Sequence, residues 1–213
     1  MRTDDLITAL AADTRAVPRY AALRGLALST FIGAPIALAL TLWWLGLRPD
    51  LVSAVGGAFF WIKAAYTLAL SLAFGAAALR LVRPGARARA ALATGGGVIV
   101  LIVLLGLVQL IGMEAAERMP ALRGGSWTVC SRNILALGAP MTLVAILALR
   151  SMAPTSPTLA GGVVGLFCGG VSATVYGLHC PEATLAFVGL WYSLGVMACG
   201  ALGVALGRWL LRW

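Results

Sequence analysis

The segment Leu178-His179-Cys180-Pro181-Glu182 sets the chain's only histidine beside one of its four cysteines. Proline suits the first position of a helix, where its missing N–H costs nothing, so the spacing predicts a helix from Glu182 with Cys180 at or beside its N-cap. A thiol there faces the positive end of the helix dipole, which favours the thiolate, the form that attacks oxidants and binds metals. Cys130 has a matching setting: it follows Gly124-Gly125-Ser126-Trp127 and precedes an apolar run, with Arg132 two residues on. Such a pair can close a structural disulfide, respond reversibly to oxidants, or bind a soft metal together with His179 and Glu182. Bridging requires Cα atoms within about 7 Å, which the sequence leaves open. His179 also has a plainer reading as a polar residue at an interface.

Cys168 and Cys199 fall in the middle of apolar runs, where a thiol stays protonated and packs like a small hydrophobe. Lys63 is the one basic residue well inside such a run. It lies a turn or so from the end, so it either snorkels as an anchor or joins Glu114, Glu117 or Glu182 in a polar cluster near the cysteines. Gln109 carries the same two readings.

The elements that must position these residues are membrane helices. Of 213 residues, 61% are hydrophobic and 11% charged, too apolar for an ordinary soluble surface. A hydrocarbon core of about 30 Å takes about 20 helical residues to cross, and no strand-like alternation suggests a barrel. The pattern predicts an all-α membrane protein, a six-transmembrane-helix bundle in one domain over 24–213, with spans at 24–45, 58–81, 91–111, 133–149, 158–178 and 182–207. No removable signal peptide is expected, because the first run lacks a small-residue cleavage site. The net charge of +9 is spread over short loops, so it speaks for topology and against a direct nucleic-acid partner.

Arg2, Arg15, Arg19 and Arg24 precede the first span, Arg80, Arg83, Arg87 and Arg89 fill the second loop, Arg150 the fourth, and Arg208 and Arg212 close the chain. Only Arg48, Arg118, Arg123 and Arg132 fall on the other side. The positive-inside rule therefore puts both termini in the cytoplasm and both Cys130 and Cys180 at the outer face, where inward-running helices begin. Residues 1–23 read as a cytoplasmic amphipathic helix, with Asp4 and Asp5 at its start, Leu6, Ile7, Leu10 and Val17 at helical spacing, and Pro18 as a stop. It either lies on the inner leaflet or docks a partner. Pro35 and Pro140 are expected to kink their spans. Trp43, Trp44, Trp61 and Trp127 mark one interface, Trp209 and Trp213 the other.

Gly161, Gly165, Gly169, Ala173 and Gly177 recur every four residues in the fifth span, and Gly195, Cys199, Gly203 and Gly207 in the sixth. Two such faces can pack closely as a hairpin with His179 and Cys180 at its tip. No span carries a mid-membrane Asp or Glu, no phosphate-binding loop appears, and the loops are too short for a soluble catalytic domain. Enzyme chemistry would have to rest on the thiols, and no enzyme is expected. A membrane thiol oxidoreductase acting with quinone is one alternative, though no second redox pair or Cys-x-x-Cys is present. A small metal or solute permease is the other.

Thr3-Asp4-Asp5-Leu6-Ile7, Trp61-Ile62-Lys63, Trp127 with Cys130, Ala153-Pro154, Leu178-His179-Cys180 with Glu182, and Trp191-Tyr192 together resemble, in order and spacing, the NrsF family of six-span bacterial inner-membrane proteins. The resemblance covers essentially the whole chain. It implies an anti-sigma factor that holds an extracytoplasmic-function sigma factor of the sigma F type at the membrane. It also implies that Cys130 and Cys180 sense heavy-metal or oxidative stress, with His179, Glu182, Arg132 and Lys63 as neighbours of the sensor. Any metal would be bound transiently, by Cys130, Cys180 and His179, and no resident cofactor is implied. The candidate sigma-docking residues are Asp4, Asp5, Leu6, Ile7 and Leu10.

Overall fold

A computed structural model describes residues 2–12, 18, 20–83 and 85–211. A short helix α1 (Thr3–Ala12) is followed by α2 (Ala21–Leu40), which continues as a π-helical turn over Thr41–Leu45. Then come α3 (Leu51–Val55), α4 (Ala58–Leu81), α5 (Arg89–Ile111), α6 (Ala115–Arg123) and α7 (Trp127–Leu149). The chain ends in α8 (Pro157–Tyr176), the single turn α9 (Leu185–Phe187), a π-helical stretch over Val188–Tyr192, and α10 (Ser193–Leu210). Six of these stretches are long and apolar enough to cross a membrane, and the described residues contain no strand.

Helix suits these runs because it satisfies every backbone group internally, the requirement of an apolar solvent. Hydroxyls inside it follow the same rule: Ser29, Thr41 and Thr142 donate back to the carbonyls of Leu26, Ala37 and Gly138 at 2.8, 2.8 and 2.9 Å. Pro157 opens α8 at a position where its missing N–H has no partner to lose.

The core is the contact of α8 with α10, flanked by α4 and α7. A Cβ on Gly165 would meet the Cys199 carbonyl, and one on Gly161 the Gly203 carbonyl, so the two backbones touch where any larger residue would separate them. Consecutive spans need not be partners. Helix α2 packs mainly on α7, with Gly33 against Met141, whereas α4 packs on α8, with Gly170 against Ser71.

Several boundaries differ from the sequence expectation. The last span starts at Leu185, not Glu182, and its N-cap is Thr184, whose hydroxyl accepts from the Phe187 N–H at 3.3 Å. Pro181 is therefore not a first helical residue and Cys180 is not a cap. The stretch 180–184 is held extended by contacts to other helices, which compete successfully with starting a helix there. Helix α7 begins at Trp127 rather than at residue 133, so Cys130 lies in its first turn. Its entry is fixed by Trp127 packing on Trp191, ring centres 5.4 Å apart. Of the N-terminal segment, only Thr3–Ala12 is seen as helix; Val17, Asp13, Arg15 and Arg19 lie outside the described residues, as do Arg212 and Trp213. Helices α2 and α7 run on through Pro35 and Pro140.

Candidate thiol site

At one end of the bundle the loops 46–57, 112–126 and 177–184 meet, and the third ties the other two together. Arg48 donates from its backbone N–H to the Leu178 carbonyl at 3.2 Å and from Nη1 to the Cys180 carbonyl at 3.3 Å. His Nδ1 of residue 179 lies 2.8 Å from the Gly46 carbonyl. Gly46, at φ +77°, makes a turn that an L side chain would strain, and that turn presents the carbonyl. From α4, Lys63 Nζ donates to the carbonyls of Cys180 at 2.8 Å and Glu182 at 3.3 Å. The Glu182 carboxylate reaches the other way: its Oε1 accepts from the Gly125 N–H at 2.8 Å, the Ser126 N–H at 3.1 Å and the Ser126 hydroxyl at 3.1 Å. Those amides belong to the N-cap residue of α7 and the residue before it, so Glu182 fixes the entry to a helix distant in sequence.

This framework brings Cys130 and Cys180 together although fifty positions separate them. Both are free thiols, both are fully buried, and the Cys130 thiol is directed at the Cys180 sulfur. The Cys180 thiol is held well below the usual thiol range. The hydrogen bond from Cys130 is the main cause, and the nearby Lys63 ammonium adds to it against the opposing effect of burial. Ser126 belongs to both cysteines: its hydroxyl is 4.0 Å from the Cys180 sulfur and its carbonyl accepts from the Cys130 N–H at 2.9 Å. Close to the sulfurs lie the fully buried rings of Tyr176 and Tyr192, centres 5.8 Å apart, with the Tyr192 hydroxyl facing Cys180. A reduced dithiol with one sulfur poised as thiolate, walled off from solvent, can lose two electrons to form a disulfide or grip a two-coordinate soft cation.

The family model described as "Negative regulator of sigma F", NrsF, matches residues 10–213. The chain belongs to the NrsF family. It is 50% identical over the full length of both chains to a protein of Caulobacter vibrioides (strain NA1000 / CB15N) named anti-sigma-F factor NrsF. It is 38% identical, again over all of both chains, to a protein of Azospira oryzae (strain ATCC BAA-33 / DSM 13638 / PS) named probable anti-sigma-F factor NrsF. No solved structure matches it.

The remaining candidate residues of this NrsF-family chain divide by position. Lys63 does not snorkel: it is 2% exposed, and its hydrogen bonds go to carbonyls, not to the carboxylates of Glu114, Glu117 or Glu182. Gln109 belongs to the same end without touching the sulfurs, its Oε1 accepting from the N–H groups of Leu185 at 2.8 Å and Ala186 at 3.3 Å. Arg132 is exposed on α7 whereas Cys130 is buried, since residues two apart on a helix face different ways. Among the described residues no three of His, Cys, Asp and Glu gather as metal ligands, and the Nδ1 of His179 is turned to a carbonyl.

Asp4, Asp5 and Ile7 are exposed on α1, with Ile7 at 59%. Leu6 and Leu10 are helical in backbone, and their side chains lie outside the described residues. Ser126, Arg48, Tyr176 and Tyr192 were not singled out by sequence. The Gly-Gly-Ser-Trp stretch before Cys130 was the available signal for Ser126, the Trp191-Tyr192 motif for Tyr192, and its place among few arginines for Arg48; Tyr176 gave none, because its role depends on which helices become neighbours.

Proposed function

We propose that this chain is an anti-sigma factor of the bacterial inner membrane, with both termini in the cytoplasm. It holds a sigma-F-type extracytoplasmic-function sigma factor on that side and releases it when Cys130 and Cys180 respond together to oxidative or heavy-metal stress. The names of the relatives support the regulatory role, and the single observation that carries the sensing role is the buried meeting of these two thiols, with Cys180 biased toward thiolate. Oxidation removes two electrons from the pair, with one proton leaving Cys130 and a second supplied by solvent when Cys180 starts as thiolate. With a hydroperoxide as oxidant the products are a disulfide, an alcohol and water.

Shortening the gap between the sulfurs pulls the 177–184 loop against the start of α7. Because α8 and α10 are in backbone contact, they move as one stiff unit toward the cytoplasmic end. Release follows if the reacted state binds sigma more weakly, since only a difference in affinity between states shifts the equilibrium. The docking surface is α1, through Asp4, Asp5, Leu6, Ile7 and Leu10. The bilayer is the other partner, and nucleic acid is contacted only by the sigma factor.

Transcription from a sigma-dependent promoter, measured with and without stress in Cys130→Ser and Cys180→Ser strains, tests this reading. Loss of induction in both is expected, and full induction in either overturns it. Leu6→Asp with Leu10→Asp should abolish co-purification of sigma; unchanged recovery rejects α1 as the dock.

A further inference from the structure

Both sulfurs are fully buried, so a reagent reaches them only if something opens, and what closes over them is built from a few named contacts. The Glu182 carboxylate accepts three hydrogen bonds from Gly125 and Ser126, and Ser126 in turn touches the Cys180 sulfur and accepts from the Cys130 N–H. One residue thus connects the carboxylate to each cysteine. The neighbouring backbone is shaped for this seat: Gly124 has φ +57°, and a Cβ there would run into the Glu182 carboxylate. The Glu182 carbonyl is pinned from the opposite side by Lys63, while the Thr184 hydroxyl donates to the Ala121 carbonyl at 2.7 Å. The strap is therefore anchored at both ends, and the carboxylate of Glu182 joins it to the start of α7 through the hydroxyl and amides it binds.

We propose that Glu182 is the positioning residue of the thiol pair: acting through Ser126, it latches the 180–184 strap onto the start of α7 and sets how fast any thiol reagent reaches Cys130 and Cys180. A carboxylate accepting from two amides and a hydroxyl is a strong link, yet all its bonds lie in the loop layer and none in the apolar core. Breaking it frees the strap without dismantling the helices below. The stress threshold of the sensor is then a property of Glu182 and Ser126 rather than of the sulfurs alone. That last step rests on the sensing role given above, whereas the latch itself does not.

The test uses the reduced full chain in nanodiscs, labelled with N-ethylmaleimide and followed cysteine by cysteine by mass spectrometry. Cys168 and Cys199, in the middle of the bundle, are internal standards, because global loosening exposes all four and latch opening only two. Glu182→Ala should label Cys130 and Cys180 at least tenfold faster than the parent with Cys168 and Cys199 unchanged. Glu182→Gln keeps an acceptor oxygen for the two amides and should return the rate to within about threefold of the parent. If Glu182→Ala exposes all four cysteines together, Glu182→Asp, whose carboxylate is one methylene too short to reach the amides, decides: a selective rise at Cys130 and Cys180 supports the latch, and no selective rise overturns it. Equal labelling of Cys130 and Cys180 in parent and Glu182→Ala also overturns it. A selective labelling change with no change in the transcriptional threshold keeps the latch and removes the sensor role. An unchanged labelling rate beside an intact stress response does the reverse.

Discussion

Two cysteine pairs share this bundle, and they differ in everything except burial. Cys168 and Cys199 are as inaccessible as Cys130 and Cys180, each at 0% exposure. Cys199 packs where Gly138 leaves room for its sulfur, 3.8 Å from the Ile134 carbonyl. Cys130 and Cys180 instead have each other's sulfur, a buried ammonium, a serine hydroxyl and two buried tyrosines. The two pairs therefore differ in their neighbours and not in exposure: the apolar middle holds α8 and α10 in backbone contact, and the polar end surrounds its sulfurs with groups that can bear or balance a charge.

Substitutions can break or sharpen that contrast. The largest effect is expected in the stiff half. Gly165→Leu puts a side chain where the Cys199 carbonyl sits, forcing α8 and α10 apart at a cost of about 3 kcal/mol or more, and thermal unfolding in detergent should show loss of the folded species. At the polar end, Lys63→Met takes a donor from the Cys180 and Glu182 carbonyls, leaving the first to Arg48. A loss of about 2 kcal/mol in chemical denaturation is expected, with Cys168 and Cys199 as protected as before. Gln109→Leu removes the acceptor for the first amides of the last span and should cost about 1 kcal/mol in the same measurement, leaving the labelling of all four cysteines in place. The smallest effect sharpens the contrast from the inert side: Cys168→Ala and Cys199→Ala should each keep transcriptional induction within about twofold of the parent. A lost response in either would mean that the middle pair also senses.

Much of the architecture was legible because it follows from pattern. Runs of about 20 apolar residues announce helices that cross a bilayer, and four-residue glycine spacing in the last two spans announces their close contact. The site was legible in part. Cys130 and Cys180 stood out by type and setting, and Glu182 and Lys63 by being charged where charge is rare. The reason given for Cys180 was wrong, however. Pro181 suggested a helix start and a dipole acting on the thiol, whereas Thr184 starts the helix and the sulfur is tuned by Cys130 and Lys63. Local propensity yielded to contacts with distant residues, which compete for the same backbone groups.

The sequence by itself determined the helices, the close face between the last two spans, and which side chains are chemically unusual, because these depend on residue type and on a period of a few positions. Only the tertiary structure decided that α2 turns to α7 rather than to α4, that Lys63 and Glu182 grip one strap from opposite sides, and that two thiols fifty positions apart become neighbours. Those outcomes depend on how whole helices pack against one another, and packing between surfaces far apart in the chain leaves no mark in the local spacing of residues.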